Sequence, residues 1–402
     1  MAEIRKICVV GVGYIGLPTC VVLAQAGYQV YGADINEKII SSLESGVVPI
    51  DEPGLQEEYD AARERLHFSV KPEEADAFYI CVSTPLDMTG AEPRAKLDYV
   101  FSAASAIAKV LRPGNLVILE SSVPPKTTRR VAELLAQESG LAADAFYAVH
   151  CPERVIPGQM LRELRENDRL IGSPTEEGAR LAKTIYDRIL TKGSVRVTDD
   201  VTAETAKLAE NAFRDVNIAY ANELSVIAAG LGIDVFEVIE LANCHPRVNI
   251  NTPGIGVGGH CIPVVPWFLC EQFPDDTALM HAARAVNDHK PVWAADRVGE
   301  IVAPPADICV LGMTYKPDVD DLRDSASVDF AMLLASRGYH VTVCEPNVKA
   351  ETICGLANVT LEDALKTGFV VVSLAHKEFR ENRERIAKVP HYDAVGLLCD
   401  VK

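Results

Sequence analysis

Short apolar runs of strand length alternate with helical patterns along the first 150 residues. The predicted strands cover residues 7–10, 29–33, 77–82, 115–119 and 146–150. Helical periodicity follows the first strand at residues 17–26 and separates the third strand from the fourth at residues 99–111. Strands that alternate with helices form parallel, doubly wound sheets. The pattern therefore predicts an α/β domain at the amino terminus.

The rest of the chain changes pattern twice. Residues 203–242 show helical periodicity without a strand, and a proline-containing stretch at residues 304–307 precedes a second series of strands and helices. Those strands are predicted at residues 308–313, 340–344 and 369–374, with a helix at residues 327–336. We predict an α/β protein with an amino-terminal Rossmann doubly wound sheet, a central all-helical domain and a carboxyl-terminal Rossmann-like α/β domain. The predicted domain boundaries are residues 1–200, 201–303 and 304–402.

Composition and charge exclude several classes of protein. Hydrophobic residues make up 48% and charged residues 24% of the 402 residues, as in soluble globular proteins, and no apolar run is long enough to span a membrane. A net charge of −18 argues against nucleic acid or an anionic membrane as a partner. The eleven cysteines are scattered without a C-x-x-C pair, so we expect neither disulfides nor a bound metal, and a cytoplasmic location.

The segment after the first strand has the spacing of a dinucleotide-binding motif. Gly11, Gly13 and Gly16 form G-x-G-x-x-G between a strand and a helix, and Asp34 ends the second strand 23 residues after Gly11. Glycines at these places allow a tight turn, close approach of a pyrophosphate and helix–sheet packing. The Asp34 carboxylate suits a ribose diol and repels a 2′-phosphate, so the motif predicts NAD rather than NADP as cofactor.

Three polar residues follow the carboxyl ends of later strands. Ligands of doubly wound sheets bind at this edge, which makes Thr84, Ser122 and Glu153 candidates for the site. Each could instead be an ordinary helix cap or turn residue, which is the commoner role of Ser, Thr and Glu at strand ends.

The helical segment carries a polar stripe. Lys207, Asn211 and Arg214 are spaced four and three residues apart, so they share one helix face. The stripe lies within a run rich in Ala and Leu, which favours a binding role over a solvated surface.

A glycine-rich loop presents a single thiol. Four glycines within residues 254–259 precede Cys261, and two prolines follow it. A thiol held in such a loop near a cation is a candidate nucleophile; the alternative is a structural cysteine in a tight turn. In the last α/β segment, Lys316 and Arg323 are candidates for binding a nucleotide, unless that segment is purely structural.

Together these segments resemble the UDP-glucose/GDP-mannose dehydrogenase family nearly end to end. The resemblance rests on residues 11–16, 51–54, 151–155, 207–215, 245–249, 256–261 and 315–317. The sequences CPERV, NAFRDVN and HPRVNI are more similar to the branch that acts on UDP-N-acetylmannosamine than to the UDP-glucose branch.

The resemblance implies oxidation of the sugar C6 hydroxyl to a carboxylate with two NAD and one water. It implies that Cys261 traps the aldehyde as a thiohemiacetal that becomes a thioester. Lys207 would stabilise the oxyanions, Asn211 would orient water or substrate, and Glu153 would take a proton from the hydrolytic water.

Binding roles follow from the resemblance as well. It implies NAD contacts by Gly11, Gly13, Tyr14, Ile15, Gly16, Asp34, Thr84, Ser122 and Arg323. It implies UDP-sugar contacts by Arg154, Val155, Lys207, Asn211, Arg214, His245, Arg247, Gly258, Tyr315, Lys316 and Lys402. A homodimer or larger homo-oligomer is also expected.

The chain departs from the family pattern at three positions. Ser122 replaces a frequent threonine, Pro157 replaces a second glutamate of some branches, and Val265 replaces an aspartate. Three alternatives therefore accompany the main hypothesis. One is a dehydrogenase of UDP-N-acetylglucosamine or UDP-glucose, and another is a weakly active or inactive nucleotide-sugar binder. The third is a 3-hydroxyacid dehydrogenase, against which Cys261 and the last α/β segment argue.

Overall fold

The computed structural model describes residues 3–399 and residue 401, and the chain divides into two compact units. The first unit comprises the residues up to Glu210 together with Trp267–Gln272, and the second comprises Asn211–Pro266 and the residues from Phe273 onward. Within the described residues, no helix is both long enough and apolar enough to cross a lipid bilayer.

One sheet organises the first unit. The strands of this unit are β1 Lys6–Val10, β2 Gln29–Ala33, β3 Leu66–Ser69, β4 Ala77–Ile80, β5 Leu86–Asp87, β6 Arg94–Ala95, β7 Leu116–Leu119, β8 Tyr147–His150, β9 Arg169–Gly172 and β10 Val195–Thr198. The main sheet has the order β10-β9-β8-β7-β4-β1-β2-β3, while β5 and β6 form a separate hairpin. Within the main sheet, β8, β7, β4, β1, β2 and β3 pair in parallel, and β9 pairs with β8 in the antiparallel sense. The parallel part has the order of a Rossmann fold, which confirms the predicted amino-terminal architecture.

Helices cover the main sheet. They are α1 Gly16–Gln25, α2 Glu37–Ser45, α3 Leu55–Ala62, α4 Asp98–Ala108, α5 Thr127–Ser139, α6 Met160–Glu166 and α7 Glu176–Ile189, with a 3-10 turn at Arg63–Arg65. Helix α1 is buried along nine of its ten residues, which explains its nearly continuous apolar sequence. Asn36 caps α2 and Thr175 caps α7 through side-chain oxygens, so the polar residues between strand and helix fix where these helices begin.

Four more helices follow the main sheet along the chain. They are α8 Asp200–Leu231, α9 Val235–Asn243, α10 Pro266–Gln272 and α11 Ala278–Ile301, with a 3-10 turn at Pro274–Asp276. In the second unit a buried polar network joins α8 to α11. Arg284 donates to Asp215 at 2.6 Å, and Asn287 donates to the same carboxylate at 2.8 Å. Asn222 donates to Asn287 and accepts from the amide of Gly254, so the network also holds the beginning of the glycine-rich loop.

The second unit contains a smaller sheet. Its strands are β11 Asp307–Leu311, β12 His340–Cys344, β15 Phe369–Val372 and β16 His391–Asp393, in the order β12-β11-β15-β16, and β13 Thr352–Ile353 pairs with β14 Leu356–Ala357. Its helices are α12 Ala326–Ser336, α13 Leu361–Ala364, α14 Lys377–Glu381 and α15 Arg383–Ile386. All pairings of the four-stranded sheet are parallel. The predicted helical segment and carboxyl-terminal α/β domain are thereby confirmed.

Candidate active site

The glycine-rich turn between β1 and α1 is shaped by two glycines and open at the third. Gly11 has φ of +91°, and a Cβ there would lie 2.7 Å from the carbonyl oxygen of Cys81. A Cβ on Gly16 would collide with the Gly11 carbonyl, whereas a Cβ on Gly13 would meet no described atom within 4 Å. Ile15 precedes α1 and makes no side-chain cap. The turn fits a pyrophosphate.

Asp34 lies beside the same turn. Its Oδ2 accepts from the amide of Val12 at 3.0 Å, and its Oδ1 accepts from the amide of Asn36 at 2.9 Å. Each carboxylate oxygen can accept a further bond, so ribose hydroxyls find acceptors here. Tyr14 is half-buried in the turn.

Thr84 and Ser122 are brought together at the carboxyl edge of the first sheet. The Thr84 hydroxyl donates to the Ser122 carbonyl at 2.8 Å. Ser121, the preceding residue, donates to the Val82 carbonyl at 2.6 Å. These bonds join the segments that follow β4 and β7, and both residues lie on the edge where a Rossmann fold binds its ligand.

Glu153 is buried in the loop after β8, with 8% of its surface exposed. Its Oε2 accepts from Arg169 at 2.9 Å, and its Oε1 accepts from the amide of Arg154 at 2.6 Å. The Arg154 side chain pairs with Glu210 of α8 at 2.6 Å. The loop is therefore fixed to α8 three residues beyond Lys207. Val155, the next residue, packs against the core of the unit.

Lys207 is half-buried on α8. Burial, together with the positive charge of Lys207, lowers the pKa of His150 to about 3. His150 is the last residue of β8, so Lys207 lies near the strand end that leads to Glu153. The structure thus brings the predicted cation and the predicted base to the same edge of the sheet.

Asn211 and Arg214 lie further along α8. Asn211 is 6% exposed, and its Nδ2 has no partner among the described residues. A buried amide donor without a partner costs free energy, which makes this atom a candidate for a ligand oxygen. Arg214 is exposed, and its spacing on the continuous helix α8 places it on the same face as Lys207 and Asn211.

The glycines before Cys261 let the loop approach its neighbours closely. A Cβ on Gly258 would lie 2.5 Å from the Asp324 carbonyl oxygen. Gly259 has φ of +90°, and its Cβ would lie 2.7 Å from the ring of Tyr315. The Gly259 amide donates to the Asp324 carbonyl at 3.1 Å. These contacts fix the backbone just before Cys261, which is exposed.

His260, the residue before Cys261, is held by two aspartates. Its Nε2 lies 3.4 Å from Asp321, and its Nδ1 lies 3.3 Å from Asp324. Arg323 makes two bonds to Asp321, at 2.9 and 2.7 Å. Burial raises the pKa of Asp321, but the bonds from Arg323 and the charge of His260 outweigh it, so the pKa is lowered.

A buried pair, Glu345 and His376, supports the loop after β11. Glu345 Oε2 accepts from the amide of Met313 at 2.7 Å and lies 2.9 Å from His376 Nε2. The amide of Asp318 donates to His376 Nδ1 at 2.9 Å. Because a backbone amide only donates, Nδ1 is the acceptor. Nε2 therefore carries the ring proton and donates a hydrogen bond to Glu345. The pair holds both ends of a loop that carries two predicted UDP-sugar residues, Tyr315 and Lys316.

His245 and Arg247 lie together in the exposed turn after α9. The Arg247 amide donates to His245 Nδ1 at 3.3 Å. Hydrogen bonds hold the chain after this turn to both α8 and α9. Asn217 of α8 donates to the Asn249 carbonyl at 2.8 Å, and Asn243 of α9 accepts from the following amide at 2.7 Å.

Val265 is buried, with 2% of its surface exposed, and its amide donates to the Cys261 carbonyl at 2.8 Å. The valine is therefore buried one turn after the thiol. Lys402, the last predicted UDP-sugar residue, lies outside the described residues.

Several residues of these clusters were missed by the sequence analysis. They are Glu120, Arg169, His260, Asp321, Asp324, Glu345 and His376. Glu120 and Glu345 directly follow strands, so the rule that selected Glu153 could have found them. The others are recognised only through partners distant in sequence.

Family models match nearly the whole chain. The NAD binding domain of the UDP-glucose/GDP-mannose dehydrogenase family matches residues 5–190. Its central domain matches residues 201–289, and its UDP binding domain matches residues 309–399. The chain belongs to this family. It is an NAD-dependent UDP-sugar dehydrogenase, and the hydroxyacid dehydrogenase alternative is wrong.

Individual relatives span most of this dehydrogenase. UDP-N-acetyl-D-mannosamine dehydrogenase from Campylobacter jejuni is 45% identical, over 95% of this chain and 98% of its own. The enzyme of that name from Escherichia coli K12 is 44% identical, over 97% and 98%. A solved structure of the UDP-D-ManNAc dehydrogenase from Pyrococcus horikoshii has a TM-score of 0.88 at 37% identity, covering 98% of this chain and 96% of its own.

Proposed function

We propose that this dehydrogenase oxidises UDP-N-acetyl-D-mannosamine at C6 to UDP-N-acetyl-D-mannosaminuronate, using two NAD and one water. The substrate assignment rests on the name shared by relatives that match at least 95% of the chain. UDP-N-acetylglucosamine and UDP-glucose are the alternative substrates, and a weakly active nucleotide-sugar binder is the alternative function.

Bound NAD would supply the hydride acceptor for each oxidation. Gly11, Gly13 and Gly16 shape the turn for its pyrophosphate, and Asp34 accepts from the adenosine ribose. We propose further contacts to it by Tyr14, Ile15, Thr84, Ser122 and Arg323.

We expect NAD to be preferred over NADP because the Asp34 carboxylate would repel a 2′-phosphate. The measurement is kcat/KM for both cofactors at saturating UDP-sugar. Asp34→Asn removes the charge but keeps the side-chain size, and should narrow the preference. Comparable kcat/KM values for the two cofactors with the unmodified protein would contradict this assignment of Asp34.

The first oxidation removes a proton and a hydride from the C6 alcohol and leaves an aldehyde. The Cys261 thiolate then forms a bond to the aldehyde carbon, and the carbonyl oxygen becomes an oxyanion. In our proposal Lys207 and Asn211 bind this oxygen, for which the partnerless Nδ2 of Asn211 is suited.

The second oxidation removes the hydride from the thiohemiacetal carbon and gives a thioester on Cys261. Water attacks the thioester carbon while Glu153 takes its proton. The carbon–sulfur bond then breaks, the thiolate of Cys261 is released and the product is a carboxylate. We propose that the UDP-sugar is bound by Arg154, Val155, Arg214, His245, Arg247, Gly258, Tyr315, Lys316 and Lys402.

A panel of UDP-sugars with NADH measured by absorbance tests the proposal. We expect UDP-N-acetylmannosamine to give the highest kcat/KM and two NADH for each molecule consumed. One NADH per sugar, with free aldehyde as product, would contradict the thioester mechanism. Tight binding of a sugar without NADH formation would favour the nucleotide-sugar binder.

Assembly and location are further parts of the proposal. Exposed large apolar residues on α8 and α9 support a homodimer or larger homo-oligomer, because clustered apolar groups mark interaction surfaces. They are Phe213, Tyr220, Ile227, Leu231 and Leu241. The mass measured by light scattering tests the assembly. A cytoplasmic location agrees with the free state of the cysteines and can be checked by cell fractionation.

A further inference from the structure

Two carboxyl groups and one guanidinium are buried together in the first unit. Glu120 follows β7, Glu153 follows β8 and Arg169 begins β9; their exposed fractions are 2%, 8% and 3%. The Glu153 amide donates to the Glu120 carbonyl at 3.4 Å, so the two segments that carry the carboxyl groups are neighbours. Two buried negative charges would face one positive charge if both glutamates were ionised.

The two carboxyl groups have different partners. Glu153 binds the guanidinium of Arg169 and the amide of Arg154. Glu120 Oε2 accepts from the Cys81 thiol at 2.8 Å and from the Thr19 hydroxyl at 3.5 Å, which are neutral donors. A buried charge is costly without a cation partner. The arrangement therefore favours ionised Glu153 and protonated Glu120.

Apart from Glu153 and Arg169, the titratable groups that act on Glu120 or lie around it are thiols and phenols. Burial is the largest cause that raises the pKa of each of them: Cys20 on α1, Tyr79 in β4, Cys81 directly after β4, Cys151 after β8 and Tyr186 on α7. Burial and the charge of Glu153 raise the pKa of Glu120 to about 7, although Arg169 and the bonds from Cys81 and Thr19 act in the opposite direction. The pKa of Glu120 therefore lies near neutral pH.

We propose that Glu120 and Glu153 hold one proton between them, and that Glu120 is a positioning residue that sets the basicity of Glu153 during thioester hydrolysis. The inference rests on the proposed role of Glu153. When Glu120 has lost its proton, the cluster has one excess negative charge, because Arg169 balances only one carboxylate. The proton that Glu153 takes from water removes that excess charge. Hydrolysis is thereby favoured above neutrality.

Infrared difference spectroscopy of the full-length protein tests where the proton resides. We expect the carbonyl band of a protonated, buried carboxylic acid at pH 6, its loss on passing about pH 7, and its absence in Glu120→Gln. Glu176→Gln, an exposed glutamate on α7, is the matched control and should keep the band. A band that is absent from the unmodified protein, or that persists in Glu120→Gln, would overturn the shared proton.

The pH profile of NADH formation tests the effect on the reaction. Glu120→Gln should lose the rise of kcat near pH 7, with KM for the UDP-sugar and NAD unchanged, whereas Glu120→Asp should restore the rise. Glu120→Asp also keeps the test open if the glutamine variant folds poorly. An unchanged profile in Glu120→Gln, with the infrared result as expected, would refute the positioning role. Full activity in Glu153→Gln would refute the proposed role of Glu153 while the shared proton stands.

Discussion

Cys261→Ser is expected to lose acid formation by roughly 10³-fold or more while it still binds NAD and the UDP-sugar. A serine hydroxyl is far less nucleophilic than a thiolate near neutral pH, so the aldehyde is not captured and the second oxidation has no covalent intermediate. Cys261 is exposed, and its loop is shaped by glycine contacts that do not involve the sulfur. The substitution should therefore leave the fold and both binding functions intact.

The measurement combines steady-state NADH formation, analysis of the product acid and calorimetric binding of each ligand. Cys244→Ser is a suitable control, because Cys244 is another exposed thiol in the second unit, at the end of α9. The control should retain turnover. Near-normal acid formation by Cys261→Ser would mean that Cys261 has only a structural role in its turn.

Local patterns were sufficient for much of the fold. Residues 29–33 and 340–344 were predicted as strands and are the observed β2 and β12, because each apolar run is bounded by turn residues. The helix α11 was not predicted. It continues for 24 residues with Pro291 inside, although proline usually interrupts a helix. Packing against α12 and the buried bonds of Arg284 and Asn287 stabilise a helix that its local sequence does not indicate.

The site shows the same division between local and distant information. The glycine turn and Asp34 form a contiguous motif whose geometry follows from spacing. The partner of Glu153 is different, since Arg169 lies in a strand 16 residues later and has no motif of its own. His260 also stands beside Cys261 in the sequence, but its contacts with Asp321 and Asp324 depend on how the chain folds back. Such pairings are visible only in three dimensions.

Val265→Asp is expected to raise kcat at least tenfold. The resemblance to the family implies an aspartate at this position that would relay protons. A general base typically contributes about 10²–10⁴ in rate, and valine cannot accept a proton. The amide of Val265 bonds to the Cys261 carbonyl, so a carboxylate would be introduced one turn from the nucleophile.

The substitution should also lower the melting temperature, because Val265 is 2% exposed and a buried carboxylate is costly unless it gains a cation partner. Val265→Asn separates charge from shape: it has the size of the aspartate variant but no basic oxygen, and should not gain activity. Steady-state NADH formation and cofactor affinity are measured for all three proteins below their melting temperatures. A fast unmodified enzyme with an equal or slower Asp variant would show that this branch needs no carboxylate there. In that case Glu153 would have to carry the proton transfers, and the pH profile of Glu120→Gln would acquire greater weight in identifying the base.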